Sequence, residues 1–98
     1  MFLTLWEFEV KSGSEKLFEQ AYGPEGEWVR LFRRDPGYRG TRLVRDAGRE
    51  RVYLTIDWWE SRQAYDQFRE TCTQVYEEID RRCQGFTVRE VNLGSGET

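Results

Sequence analysis

The chain opens with alternation. Phe2, Trp6, Phe8 and Val10 share one parity, and Leu3, Leu5, Glu7 and Glu9 share the other, the period-two pattern of a strand over residues 2–10. Ser12 followed by Glu15 fits a capping box, and Leu17, Phe18, Ala21 and Tyr22 then recur at helical spacing. Gly23-Pro24-Glu25-Gly26 interrupts that helix, because proline and glycine are poor in a helix interior. A second helical piece runs from Glu27 to Arg34 with Trp28, Leu31 and Phe32 on one face, and Asp35-Pro36-Gly37 ends it. Tyr38 to Asp46 reads as a second strand and Ala47-Gly48-Arg49-Glu50 as a polar turn. Arg51 to Trp58 reads as a third strand with Val52, Leu54, Ile56 and Trp58 on its core face. Ser61 caps one long helix to Cys83, whose stripe is Ala64, Tyr65, Phe68, Cys72, Val75, Tyr76 and Ile79. Phe86 to Leu93 is a last strand, and residues 94–98 are a disordered tail.

The order β-α-β-β-α-β predicts an α+β, ferredoxin-like domain over residues 1–93, a four-stranded antiparallel sheet with both helices on one face. On the opposite face this parity leaves Leu3, Leu5, Tyr53, Thr55 and Val91, too apolar a surface to stand in water. The expected partner is a second copy, sheet face to sheet face. Size agrees, since a chain of 98 residues buries only roughly 60–65% of its unfolded surface and gains from an extended core.

Charge narrows the partners. Fifteen basic and 18 acidic residues are interspersed, so no basic patch is offered to a phosphate backbone and nucleic acid is not expected. Neither a signal peptide nor a membrane span is expected. Cys72 and Cys83 would lie roughly 16 Å apart on one helix, too far for a disulfide, and read as reduced thiols of a cytoplasmic protein. Histidine is absent altogether, which removes the commonest proton shuttle and the usual haem ligand. No metal-ligand cluster, phosphate loop or activated nucleophile stands out, so no metal and no cofactor is expected.

The segment Asp57-Trp58-Trp59-Glu60-Ser61 concentrates the candidate chemistry. A carboxylate flanked by Ile56 and Trp58 is a candidate base, since desolvation raises its pKa. Trp59 is a candidate donor to a developing oxyanion. Trp6, Tyr22, Trp28, Tyr65 and Phe68 are candidate walls for a flat ligand. Each has a plain structural alternative: Asp57 as an acceptor for a neighbouring group, and the rings as ordinary core.

These same residues carry a resemblance. Asp35-Pro36-Gly37-Tyr38, together with Asp57-Trp58-Trp59-Glu60-Ser61 and Ala64, resembles the antibiotic biosynthesis monooxygenase-like group of the dimeric α+β barrel superfamily, with the likeness extending over residues 2–93. Asp57, Trp59 and Ser61 occupy that family's acid, tryptophan and serine-or-aspartate positions. The resemblance implies a homodimer with a ligand pocket between helices and sheet in each subunit. Some members oxidise polycyclic phenols or hydroquinones with dioxygen and no cofactor, and others open haem. The haem-opening members use an asparagine and a histidine where Trp6 and Phe68 stand, so haem degradation is not expected. The implied function is cofactor-independent oxidation of a small aromatic phenol or quinol. The alternatives are a binder of a small hydrophobic aromatic ligand without catalysis, and a dimer whose tryptophans are only core.

Overall fold

The computed structural model describes residues 1–98. Its elements are β1 (Phe2–Val10), α1 (Glu15–Tyr22), α2 (Glu27–Phe32), β2 (Tyr38–Arg45), β3 (Val52–Trp59), α3 (Arg62–Thr71), α4 (Thr73–Cys83) and β4 (Thr87–Glu97). The strands form one antiparallel sheet in the order β2-β3-β1-β4. Rings from α1, α2 and α3 pack on one face of it: Phe18 and Tyr22 meet Phe8 at centroid distances of 5.3 and 4.9 Å, and Phe68 and Phe32 meet Trp59 at 4.8 and 5.5 Å. The ferredoxin-like arrangement is therefore the one the element order implies.

Register decides which side chains reach the core. Phe2, Thr4, Trp6 and Phe8 stand opposite Trp59, Asp57, Thr55 and Tyr53, and directly opposed residues share a face. The face of β3 turned to the helices is thus Tyr53, Thr55, Asp57 and Trp59, all buried. Leu54, Ile56 and Trp58 lie on the outer face, where Ile56 and Trp58 oppose Leu5 and Leu3, the reverse of the parity read from the sequence. The reason is that both faces of β3 are rich in large apolar residues, and the inner one carries the two polar groups. Counting hydrophobics selects the wrong side.

Four further differences have local causes. The helix expected from Ser61 to Cys83 breaks at Cys72, whose φ of −108° and ψ of 20° leave the helical region; Tyr76 N then bonds to Cys72 O and opens α4. Residues 94–97 are not a loose tail but the end of β4, with Gly96 opposite Leu3 and Glu97 opposite Phe2. Backbone hydrogen bonds there satisfy the groups that would otherwise fray. The capping box at Ser12 and Glu15 does not form, because the N-cap of α1 is Ser14 and no side chain caps it. Leu17 is exposed, one position off the buried Phe18-Ala21-Tyr22 stripe. At α3 the Ser61 hydroxyl does accept from Ala64 N, at 3.1 Å.

The two segments that carry the family resemblance touch. Gly37 lies so close to α3 that a Cβ there would stand 2.6 Å from the Ala64 Cβ, and Gly37 O accepts from Glu60 N at 2.7 Å. Its own N–H donates to Asp35 Oδ1 at 2.7 Å. This clamp fixes the starts of β2 and α3 against the end of β3, and so fixes Asp57.

Candidate active site

Between the helix layer and the sheet lies a cavity of about 60 Å³. Rings wall most of it: Trp6 and Phe8 from β1, Tyr22 from α1, Trp28 and Phe32 from α2, and Tyr76 from α4. The polar contributions are Thr41, Thr55 and Asp57 from β2 and β3, Asp80 from α4 and Glu90 from β4. Trp6 also lines a neighbouring cleft of about 170 Å³ shared with Phe2, Tyr65 and Asn92. The indole of Trp6 is the partition between the two spaces.

Asp57 is the buried charge of the cavity, with 8% of its surface exposed. Thr41 Oγ1 donates to its Oδ1 at 2.6 Å. Burial pushes the carboxyl up to about 6, against the opposing pull of the Thr41 and Thr4 hydroxyls. A carboxyl in that range changes protonation near neutrality and is suited to move a proton. Burial also holds the Tyr22 phenol well above its ordinary range and pushes Tyr76 up to about 12. The guanidinium of Arg69 sits 4.0 Å over the Tyr76 ring, a cation–π contact that braces that wall. Glu90 is raised by burial and then by Asp80. Trp28 Nε1 lies near Tyr22 and Cys83 but makes no hydrogen bond of ordinary geometry.

Of the residues singled out from sequence, Asp57, Trp6, Tyr22 and Trp28 converge on the cavity. Tyr65 borders the neighbouring cleft. Trp59 and Phe68 have no exposed surface and do not line the cavity; both sit in the core with Phe32 and Tyr65. Sequence reasoning missed Phe8, Phe32, Thr41, Thr55, Tyr76, Asp80 and Glu90 as cavity residues. Tyr76 was visible as a phenol on the apolar helical stripe, whereas nothing in the local sequence marks Thr41. No group of three or more His, Cys, Asp or Glu side chains is placed to hold a metal ion, and no helix is long and apolar enough to cross a membrane.

The sequence profile of the antibiotic biosynthesis monooxygenases matches residues 1–75. The chain belongs to that family. No curated protein sequence matches it, but solved structures do. One is SnoaB, a cofactor-independent oxygenase from Streptomyces nogalater, with a TM-score of 0.77 and 16% identity over 99% of this chain and 91% of that one. A mutant of MhuD with two manganese protoporphyrin IX molecules bound per active site superposes with a TM-score of 0.74 at 18% identity, covering 100% of this chain and 94% of the other. An uncharacterised NIPSNAP domain protein from Burkholderia xenovorans gives 0.72 at 13% identity, with 100% and 94% covered. At such identities the likeness is one of fold. The monooxygenase family thus includes this chain, and its chemistry has to be argued from the cavity.

Proposed function

We propose that this protein is a cofactor-independent oxygenase acting on a small phenolic or quinol substrate, with Asp57 as its base. The observation that carries this reading is a carboxyl buried in a cavity walled by six aromatic side chains, where loss of solvent raises its pKa to about 6. Asp57 takes a proton from the acidic O–H or C–H of the substrate. The anion so formed is electron-rich enough to reduce dioxygen, and one oxygen atom ends as a product carbonyl while the other leaves as water. The Trp28 N–H, buried near Tyr22 and Cys83 with no hydrogen bond of ordinary geometry, is the donor to the substrate oxygen on which charge develops. That is the role the sequence suggested for Trp59.

Size shapes the substrate. About 60 Å³ is well below the roughly 150 Å³ of an apolar cavity that holds benzene, so a ring enters by displacing a wall. Trp6, half-buried between the cavity and the cleft, is the wall to move. Trp6→Ala is expected to raise affinity for three-ring phenols about tenfold relative to single-ring ones, measured by calorimetry. An unchanged ratio would mean that Trp6 does not divide the space.

The deciding experiment is oxygen uptake by metal-free protein with anthrones, hydroquinones and catechols. Uptake above the buffer rate supports the oxygenase. Binding of panel compounds without uptake turns the reading to a binding protein.

The assembly proposed is a homodimer. Leu3, Leu5, Leu54, Ile56, Trp58 and Val91 lie on the outer face of the sheet, half-buried in the single chain, beside a Glu7 held by Arg49 and Arg89 at 2.8 and 2.9 Å. A second copy would cover this face. Trp58→Glu is expected to halve the sedimenting mass; a wild-type protein that already sediments as a monomer would end this reading.

A further inference from the structure

Asp57 is the inner end of a chain of three oxygens. Thr41 Oγ1 donates to Asp57 Oδ1 at 2.6 Å, and the Tyr38 hydroxyl lies 2.6 Å from Thr41 Oγ1. A threonine hydroxyl has a single proton, so with Asp57 ionised the donor to Thr41 is Tyr38. The chain runs along the helix-facing side of the sheet from β3 to the β2 edge. Thr41 lines the cavity and also a second depression of about 380 Å³ at the edge of the sheet, shared with Pro24, Arg33, Tyr38 and Arg39.

A β-bulge makes the chain possible. In an unbroken strand residues three apart point to opposite faces. The β2–β3 register shifts between Tyr38, opposite Trp59, and Gly40, opposite Trp58, so that Thr41 comes to stand opposite Asp57. Tyr38 and Thr41 therefore both face the helices. Bulges re-aim side chains in this way beside functional sites.

We propose that Thr41 and Tyr38 form a proton path between the Asp57 carboxyl and solvent at the β2 edge, reaching solvent outside the ligand cavity. The proposal deepens the assignment of Asp57 as the base and rests on it. In the inward direction a solvent water gives a proton to Tyr38 Oη, the phenolic proton passes to Thr41 Oγ1, and the threonine proton passes to Asp57 Oδ1. Outward transfer is the reverse. Tyr38 and Thr41 end with the protons they began with, no electrons move, and only Asp57 and solvent change. With a flat ligand against Trp28, Tyr76 and Trp6, Asp57 is closed off on the cavity side, and this path keeps it in exchange.

The surroundings suit the role. Phe32 and Trp59 flank Tyr38 at 5.5 and 5.4 Å. Burial raises the phenol, and Arg33 from just beyond α2 pulls against it, so Tyr38 stays protonated at neutral pH. On the cavity side of Asp57 the titratable groups are Tyr22 from α1, Tyr76 and Asp80 from α4 and Glu90 from β4.

Two measurements test the path. In the first, the Asp57 carboxyl is titrated by ¹³C NMR in wild type, Thr41→Val, Tyr38→Phe and the double variant. Thr41→Val is expected to raise the midpoint, Tyr38→Phe to raise it less, and the double variant to match Thr41→Val, because Tyr38 acts only through Thr41. An equal Tyr38→Phe shift with and without Thr41 would overturn the connection. In the second, anthrone deuterated at its methylene carbon is held with each protein in water without oxygen. Wild type is expected to lose deuterium to solvent faster than Asp57→Asn does, Thr41→Val and Tyr38→Phe at least about fivefold more slowly than wild type, and Thr41→Ser at the wild-type rate. Without the path Asp57 returns the same deuteron to the substrate. Loss at the wild-type rate in Thr41→Val would overturn the path. Should wild type not exceed Asp57→Asn, the assignment of the base fails, and the titration alone judges whether the three oxygens are coupled.

Discussion

Asp57→Asn is expected to cut substrate-dependent oxygen uptake by at least about a hundredfold, the low end of what a positioned base contributes. Ligand affinity should stay within about threefold, because the amide keeps the shape of the carboxyl and its oxygen can still accept from Thr41. In wild type, kcat/KM should rise with pH through about 6, where the buried carboxyl becomes ionised. A variant that retained wild-type uptake, or a rate flat across that range, would remove Asp57 from the chemistry.

The same substitution should stabilise the protein. The folded carboxyl titrates near 6 against an ordinary value of 3.8, so the folded state holds the proton more tightly than the unfolded chain. That contribution is fully present below 3.8 and is lost as pH rises through 6. Asparagine has no proton to lose. At pH 8 Asp57→Asn should therefore exceed wild type by on the order of 2–3 kcal/mol, with the difference shrinking toward zero by pH 4, as read from urea unfolding. An active group held in a costly state is a common trade of stability for activity. Equal stability of the two proteins at pH 8 would show that the carboxyl is better solvated than its burial suggests.

Trp59→Ala carries the largest expected loss of stability. The indole has no exposed surface and meets Phe32, Tyr38, Tyr65 and Phe68 at centroid distances of 4.8 to 5.5 Å. Truncating a wholly buried aromatic residue costs about 3–5 kcal/mol, a large fraction of the roughly 5–15 kcal/mol that holds a domain folded. Thermal unfolding should fall by on the order of 15–25 °C. Trp59→Phe should cost only about 1–2 kcal/mol, since the Nε1–H has no acceptor to lose. A drop in ligand affinity for Trp59→Phe at unchanged stability would instead return Trp59 to the site.

Why the sequence shows some of this and hides the rest follows from particular residues. The element order was legible because Pro24, Pro36 and the glycines beside them punctuate the chain, and β1 alternates cleanly. Asp57, Tyr22 and Trp28 were legible as chemistry-bearing side chains near element ends, and Trp6 as an indole in the middle of β1. The face of β3 was not, because Leu54, Ile56 and Trp58 match Tyr53 and Trp59 in apolar bulk. Thr55 and Asp57, whose parity the sequence assigns to the face away from the helices, are the cavity floor. Thr41 was hidden for a different reason: the bulge before it resets the strand's parity, and a bulge is a property of the pairing with β3 rather than of β2 alone. Asp80 reaches the cavity from α4, beyond the break at Cys72, and Glu90 from β4, where pairing sets it opposite Phe8.

The strand order also governs how the chain reaches this state. β1 is the first strand in the chain, yet it lies inside the sheet, and its neighbours are β3 and β4. Its apolar stripe has no strand beside it until residue 52, and its second edge stays open until the register joins Phe2 to Glu97. Pairings between the two ends of a chain close the longest loops and slow folding. A nascent chain therefore carries β1 with at least one open edge until the last strand emerges, and the interval before closure is when it is most open to aggregation.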